Sequence, residues 1–136
     1  MMVNNTAPFW RDTLAYVGVW CLDANGSLRF EGLVPDRPAV FAMVVDNMPV
    51  YVGLTGRALT ERLDDFRATH SDQLSQSGKI KARVHQEIIS VLGEGREVEV
   101  YVHSFRDVRD FAQNAWELRN NLRAAYVPDW NRAKAA

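Results

Sequence analysis

The side chains of this sequence that could do chemistry are one well-placed phenol, a scatter of cations, and few carboxylates or imidazoles near them. Tyr51 stands in an apolar run, Val50-Tyr51-Val52-Gly53, and Arg62 follows in the next segment. A phenol titrates near 10 and serves as a base only when a neighbouring cation lowers that value. Taken singly, Tyr51 reads as a core residue with its hydroxyl at the surface, and Arg62 as a solvated arginine paired with Glu61 or Asp65. Lys79, Lys81 and Arg83 border a polar stretch, while Arg119, Arg123, Arg132 and Lys134 surround the last apolar-periodic segment. Such clusters read as solvated faces, and they are also where a nucleic-acid backbone would lie. Asn131 reads as a chain-end cap or a site residue. His70, His85 and His103 lack tight ligand spacing, which argues against zinc; His85, on a helix, is the best placed of them. The single cysteine, Cys21, excludes an internal disulfide and a multi-cysteine metal site and reads as a small core residue.

The elements that position these groups belong to a chain of 136 residues, with 47% hydrophobic and 24% charged residues. That length suits one domain, able to bury roughly two-thirds of its unfolded surface without staples. A formal charge of -1 argues against a protein that coats DNA non-specifically, so any nucleic-acid site must be local. No signal peptide, transit sequence or membrane-length apolar run is legible, and a cytoplasmic protein without a membrane partner is expected.

Pro8 to Leu14 reads as a short opening helix. Tyr16 to Leu22 and Ser27 to Val34, joined by Asp23-Ala24-Asn25-Gly26, read as a β-hairpin. Ala39 to Val45 and Val50 to Gly53, joined by Asp46-Asn47-Met48-Pro49, form the strongest hairpin signal. Leu59, Leu63 and Phe66 carry the helical period, and Thr69 to Gly78 reads as a surface loop. Ile80, Val84, Ile88, Val91 and Leu92 mark a helix stopped by Gly93-Glu94-Gly95. Val98, Val100 and Val102 alternate as a strand. A last helix follows, with Phe105, Val108 or Arg109, Ala112, Trp116, Leu118 and Leu122 on its pattern, ending before Pro128.

Pro38-Ala39-Val40-Phe41 with Val50-Tyr51-Val52-Gly53-Leu54-Thr55 resembles the paired segments that open the GIY-YIG nuclease superfamily. Leu59-Thr60-Glu61-Arg62-Leu63 is similar to its Leu-x-x-Arg-Leu helix. Gly95 to Val100 and Pro128-Asp129-Trp130-Asn131 resemble the middle strand and the ending of bacterial members, so the likeness spans Trp20 to Asn131. The resemblance implies a small α/β domain with a central antiparallel sheet flanked by helices and an extra N-terminal β-hairpin. A single domain over 1–136 is expected, with 8–37 as extension and hairpin and 38–131 as core. It also implies a DNA endonuclease in which Tyr51 orients or deprotonates water, Arg62 binds the scissile phosphate and a glutamate holds one magnesium ion. Lys79, Lys81, Arg119, Arg123 and Asn131 would contact the nucleic acid.

The departures are specific. Phe41 replaces a family tyrosine, Ala39 a glycine and Leu54 a frequent lysine. Counting back from Pro128 puts Arg119 where the metal-binding glutamate should stand, and Glu117, the nearest carboxylate, lies about 200° around the helix. Glu117 becomes the catalytic metal ligand only if the helix end is remodelled. Three functions stay open: a magnesium-dependent endonuclease using Tyr51, Arg62 and Glu117; an inactive domain that binds nucleic acid or a protein partner, with Arg119 in place of the metal charge; and a protein-interaction module built on exposed aromatic residues of the Trp10 to Val34 hairpin.

Overall fold

The computed structural model describes residues 10–67 and 76–131. The expectations for Pro8 and Phe9, for the loop before Gln76 with His70, and for Arg132 and Lys134 lie outside the described residues.

The elements run α1 (Trp10–Thr13), β1 (Ala15–Leu22), β2 (Leu28–Gly32), β3 (Ala39–Val45), β4 (Met48–Thr55), α2 (Leu59–Asp64), α3 (Gln76–Gly93), β5 (Val98–Ser104) and α4 (Val108–Tyr126), closed by a 3₁₀ turn, Asp129–Asn131. The strands form one antiparallel sheet in the order β2-β1-β5-β3-β4. The apolar run of β3 has no polar alternation because β3 is an inner strand, buried along its whole length. Ala39, Phe41, Met43 and Val45 enter a core with Trp20, Tyr51, Phe66, Ile88 and Trp130. Val40, Ala42 and Val44 enter a second core with Trp10, Val52, Tyr101, Phe105, Ala115 and Leu122. Helices α2 and α3 therefore cover one face and α1 and α4 the other.

The second hairpin turns on two residues, Asp46 (φ 51°) and Asn47 (φ 69°), both left-handed as a tight hairpin turn requires. The connection is shorter than the sequence implied: Met48 and Pro49 already belong to β4. Proline is tolerated there because β4 is an edge strand, and a register shift lies between Met43 and Val44, opposite it.

Several other expectations are corrected. The expected N-terminal hairpin is present, and it joins the central sheet, since β1 pairs with β5 from Ala15↔Val102 to Trp20↔Val98. Its tryptophan and that of α1 are buried, which removes the exposed aromatic surface expected there apart from Tyr16. Cys21 is half-buried on β1 and not a core residue. The opening of α3 at Gln76 takes in the end of the stretch read as a loop. Phe105 continues the pairing of β5 with β3, with its N–H donating to Pro38 O at 2.9 Å, and α4 starts later, where the Asp107 carboxylate accepts from Asp110 N at 2.9 Å. Val108 and Trp116 are exposed, and the buried stripe of α4 runs through Phe111, Ala115, Leu118, Leu122 and Tyr126. No helix among the described residues is long and apolar enough to cross a membrane.

Candidate phosphate-binding cleft

Tyr51 lies on the edge strand and points toward α2, its ring packed against Phe41 and Phe66 at 5.8 and 5.6 Å between centroids. The ring folds over Gly53, where an added Cβ would stand 2.9 Å from Tyr51 Cε2 and 3.2 Å from its hydroxyl. The glycine of the Tyr-Val-Gly motif is thus the gap into which the phenol fits. One turn into α2, Arg62 donates from Nη2 to the Tyr51 hydroxyl at 3.2 Å.

The Arg62 guanidinium lies 4.6 Å from the Phe66 ring centroid and 5.7 Å from that of Phe41. Cation–π attraction holds it in an apolar setting. Its Nη1 is buried and has no hydrogen-bond partner among the described residues, although the Asp65 carboxylate stands 3.7 Å away. A buried donor left unsatisfied costs about 1–3 kcal/mol. Asp65 also meets Arg57 at 2.6 Å and Lys81 at 3.6 Å, so three cations share one carboxylate beside the phenol. Arg57 also pairs with Glu61 at 3.4 Å, which leaves three cations against two carboxylates near the phenol.

The backbone next to Tyr51 is clasped from the sheet edge. Asn131 accepts from Val52 N at 2.7 Å and donates to Val52 O at 3.0 Å. Arg123 donates to the same oxygen from Nε at 3.0 Å and Nη2 at 2.9 Å. The side chains of Asn131 and Arg123 thereby stand in for a sixth strand. Burial, and next the charge of Arg119, pull the Arg123 guanidinium below its ordinary range, while Tyr51 opposes the shift.

Of the residues singled out in the sequence, Tyr51 and Arg62 meet directly, Lys81 joins them through Asp65, and Arg123 and Asn131 bind the adjoining main chain. Arg119 stacks 4.3 Å over the Trp116 ring and donates to Asn120 Oδ1 at 3.2 Å. Glu117 and Lys79 are exposed. His85 is buried with Nδ1 2.8 Å from Phe66 O, a tie between α3 and the end of α2.

The donor set does not fit the magnesium ion that the resemblance implies. Helix α4 is continuous from Val108 to Tyr126, so the remodelling that would bring Glu117 round to the Arg119 position is not present. Among the described residues no three His, Cys, Asp or Glu side chains gather as a metal group. Magnesium needs anionic oxygens, and the helix face toward Arg123 carries Arg119.

The Arg62–Asp65 pairing was expected, but sequence reasoning missed the Val52 clasp, the aromatic bed of Arg62 and the further ties of Asp65 to Arg57 and Lys81. The spacing of Asp65 and Phe66 after Arg62 is a signal for the last two, and none points to the Val52 clasp.

No family model matches the chain, and no curated protein matches it in sequence. Among solved structures it is similar to a mutant of bacteriophage T4 EndoII, with a TM-score of 0.66 and 24% identity over 88% of this chain and 92% of that one. It is also similar to restriction endonuclease HPY188I in complex with product DNA, with a TM-score of 0.56 and 10% identity over 92% of this chain and 80% of that one. The fold is the α/β GIY-YIG nuclease type that the paired-strand motifs implied.

Proposed function

We propose that this chain is a nuclease-type domain that grips a DNA phosphodiester at the Tyr51–Arg62 pair, using cations where the resemblance calls for a metal. The observation that carries this reading is the Arg62 guanidinium, fixed by Tyr51 through one nitrogen and unbonded at the other. Arg62 Nη1 would donate to a phosphate oxygen after a rotation of the side chain, 17% exposed, that uncovers it. The Tyr51 hydroxyl accepts from Arg62 and keeps its own proton to donate. Lys81 and Arg119 would neutralise neighbouring phosphates, and Lys79 the flanking backbone. The whole chain, 1–136, acts in this reading as one cytoplasmic domain.

A second reading, a magnesium-dependent DNA endonuclease with Glu117 as metal ligand, is favoured by the Tyr51–Arg62 contact and by a fold shared with endonucleases. The two separate in one experiment: binding and cleavage of a labelled DNA in EDTA and in magnesium, with wild type, Arg62→Ala, Arg119→Glu and Glu117→Gln. Binding in EDTA is expected, without cleavage in either buffer. Arg62→Ala should weaken binding by about 1.5–3 kcal/mol and lower the salt slope by about one. Arg119→Glu should weaken binding as well, and Glu117→Gln should leave it unchanged. Magnesium-dependent cleavage that Glu117→Gln abolishes would establish the second reading instead, and no DNA binding in either buffer would overturn both.

A further inference from the structure

Trp116 lies on α4 with Arg119 and Arg123 at i, i+3 and i+7, which is one stripe of a helix. At its inner end Arg123 holds Val52 O beside Tyr51. In the middle, Arg119 is close enough to Arg123 to depress its pKa. At its outer end, about 10 Å along the helix axis from Arg123, the Trp116 ring carries the Arg119 guanidinium 4.3 Å from its centroid. Trp10, Trp20 and Trp130 are 2%, 2% and 5% exposed, whereas Trp116 is 53% exposed even with the arginine upon it. An indole in water is not a core element, and the cations leading to it complement a polyanion.

We infer that Trp116 is a stacking platform for a nucleobase next to the phosphate held in the cleft, so that the site takes an unstacked, single-stranded nucleotide. The inference rests on the proposed phosphodiester-binding function. A continuous duplex keeps its base faces covered, whereas a single strand offers a π-face to the ring while Arg119 and Arg62 take its phosphates. The bound base would complete a stack with the indole between it and a guanidinium.

The test compares oligo(dT) with an abasic strand of equal length, which has the same charge but no bases. Wild type should prefer oligo(dT) by roughly 5- to 150-fold. Trp116→Ala should lose that preference and keep the abasic affinity, and Trp116→Phe should restore part of it. Because the other three tryptophans are buried, acrylamide quenching of the wild type reads Trp116, and oligo(dT) should shield it where the abasic strand does not. This second readout holds even if Trp116→Ala folds poorly. Equal affinity for the two strands, or unchanged quenching with oligo(dT) bound, overturns the inference while leaving the phosphate cleft intact. Binding of neither strand, nor of duplex DNA, overturns both.

Discussion

Replacing Asn131 by alanine removes a side chain whose two polar atoms serve one residue, Val52. Oδ1 is the acceptor for Val52 N at 2.7 Å, and Nδ2 is one of three donors on Val52 O. After Asn131→Ala the carbonyl keeps both Arg123 bonds, but the N–H, on the outer side of an edge strand, loses the partner that covers it. The bond lost on the carbonyl contributes about 1 kcal/mol, and the N–H, left dry without its acceptor, costs about 1–3 kcal/mol. The expected loss is therefore about 2–4 kcal/mol, lower if water enters. At this chain length that is a fall of about 8–16 °C in Tm. Urea and thermal denaturation measure the global effect, and hydrogen exchange at the Val52 amide the local one. DNA affinity measured well below the lowered Tm should change only a few-fold. An unchanged Tm with Val52 still protected would refute the clasp. A large loss of affinity without loss of stability would put Asn131 on the nucleic acid, the role the family resemblance gives it.

Gly53→Ala places a methyl group 2.9 Å from Tyr51 Cε2 and 3.1 Å from Phe41 Cζ; as both rings are packed, it should open the Tyr51–Arg62 contact, destabilise by about 1–3 kcal/mol and impair DNA binding. A variant crystal structure with that 3.2 Å contact intact would contradict this. Val127 is a β-branched residue held left-handed at φ 43°, ψ 62° to end α4, a conformation costing about 1–2 kcal/mol. Val127→Gly should raise stability by about 0.5–1 kcal/mol after the entropy of glycine is offset, and a lower urea midpoint would show that the exposed valine contributes packing.

The hairpin over β3 and β4 was legible because its determinants are local: two residues able to take positive φ between two β-branched apolar runs. Its ends were not, because whether Pro49 can sit in a strand depends on which strand is at the edge, and sheet order leaves no mark on the sequence. The same gap hid the placement of β5 between β1 and β3. In α4 the apolar count misled, since Val108 and Trp116 match a helical period as well as the true stripe does, and only the opposing core selects between them. Tyr51 and Arg62 were legible through a motif whose spacing is short. The partners of Val52 were not, because they come from 71 and 79 positions away.

The electrostatics of the cleft bear on which ligand it takes. Arg123 is depressed first by burial and then by Arg119, with Tyr51 acting against the shift, so two like charges stand close together where water screens them incompletely. Arg62 adds a further guanidinium on the Tyr51 hydroxyl, with one nitrogen lacking a hydrogen bond. A divalent cation brought among these groups would meet repulsion from each, and it would find Glu117 about 200° around the helix from Arg119. A phosphate has the opposite sign in every one of these interactions: it would screen Arg119 from Arg123, supply the missing acceptor for Arg62 and leave the Asp65 network in place. In the proposed phosphate-binding reading, Arg119 at the position where the resemblance expects a glutamate changes more than one ligand, because it would reverse the charge that the pocket prefers to hold.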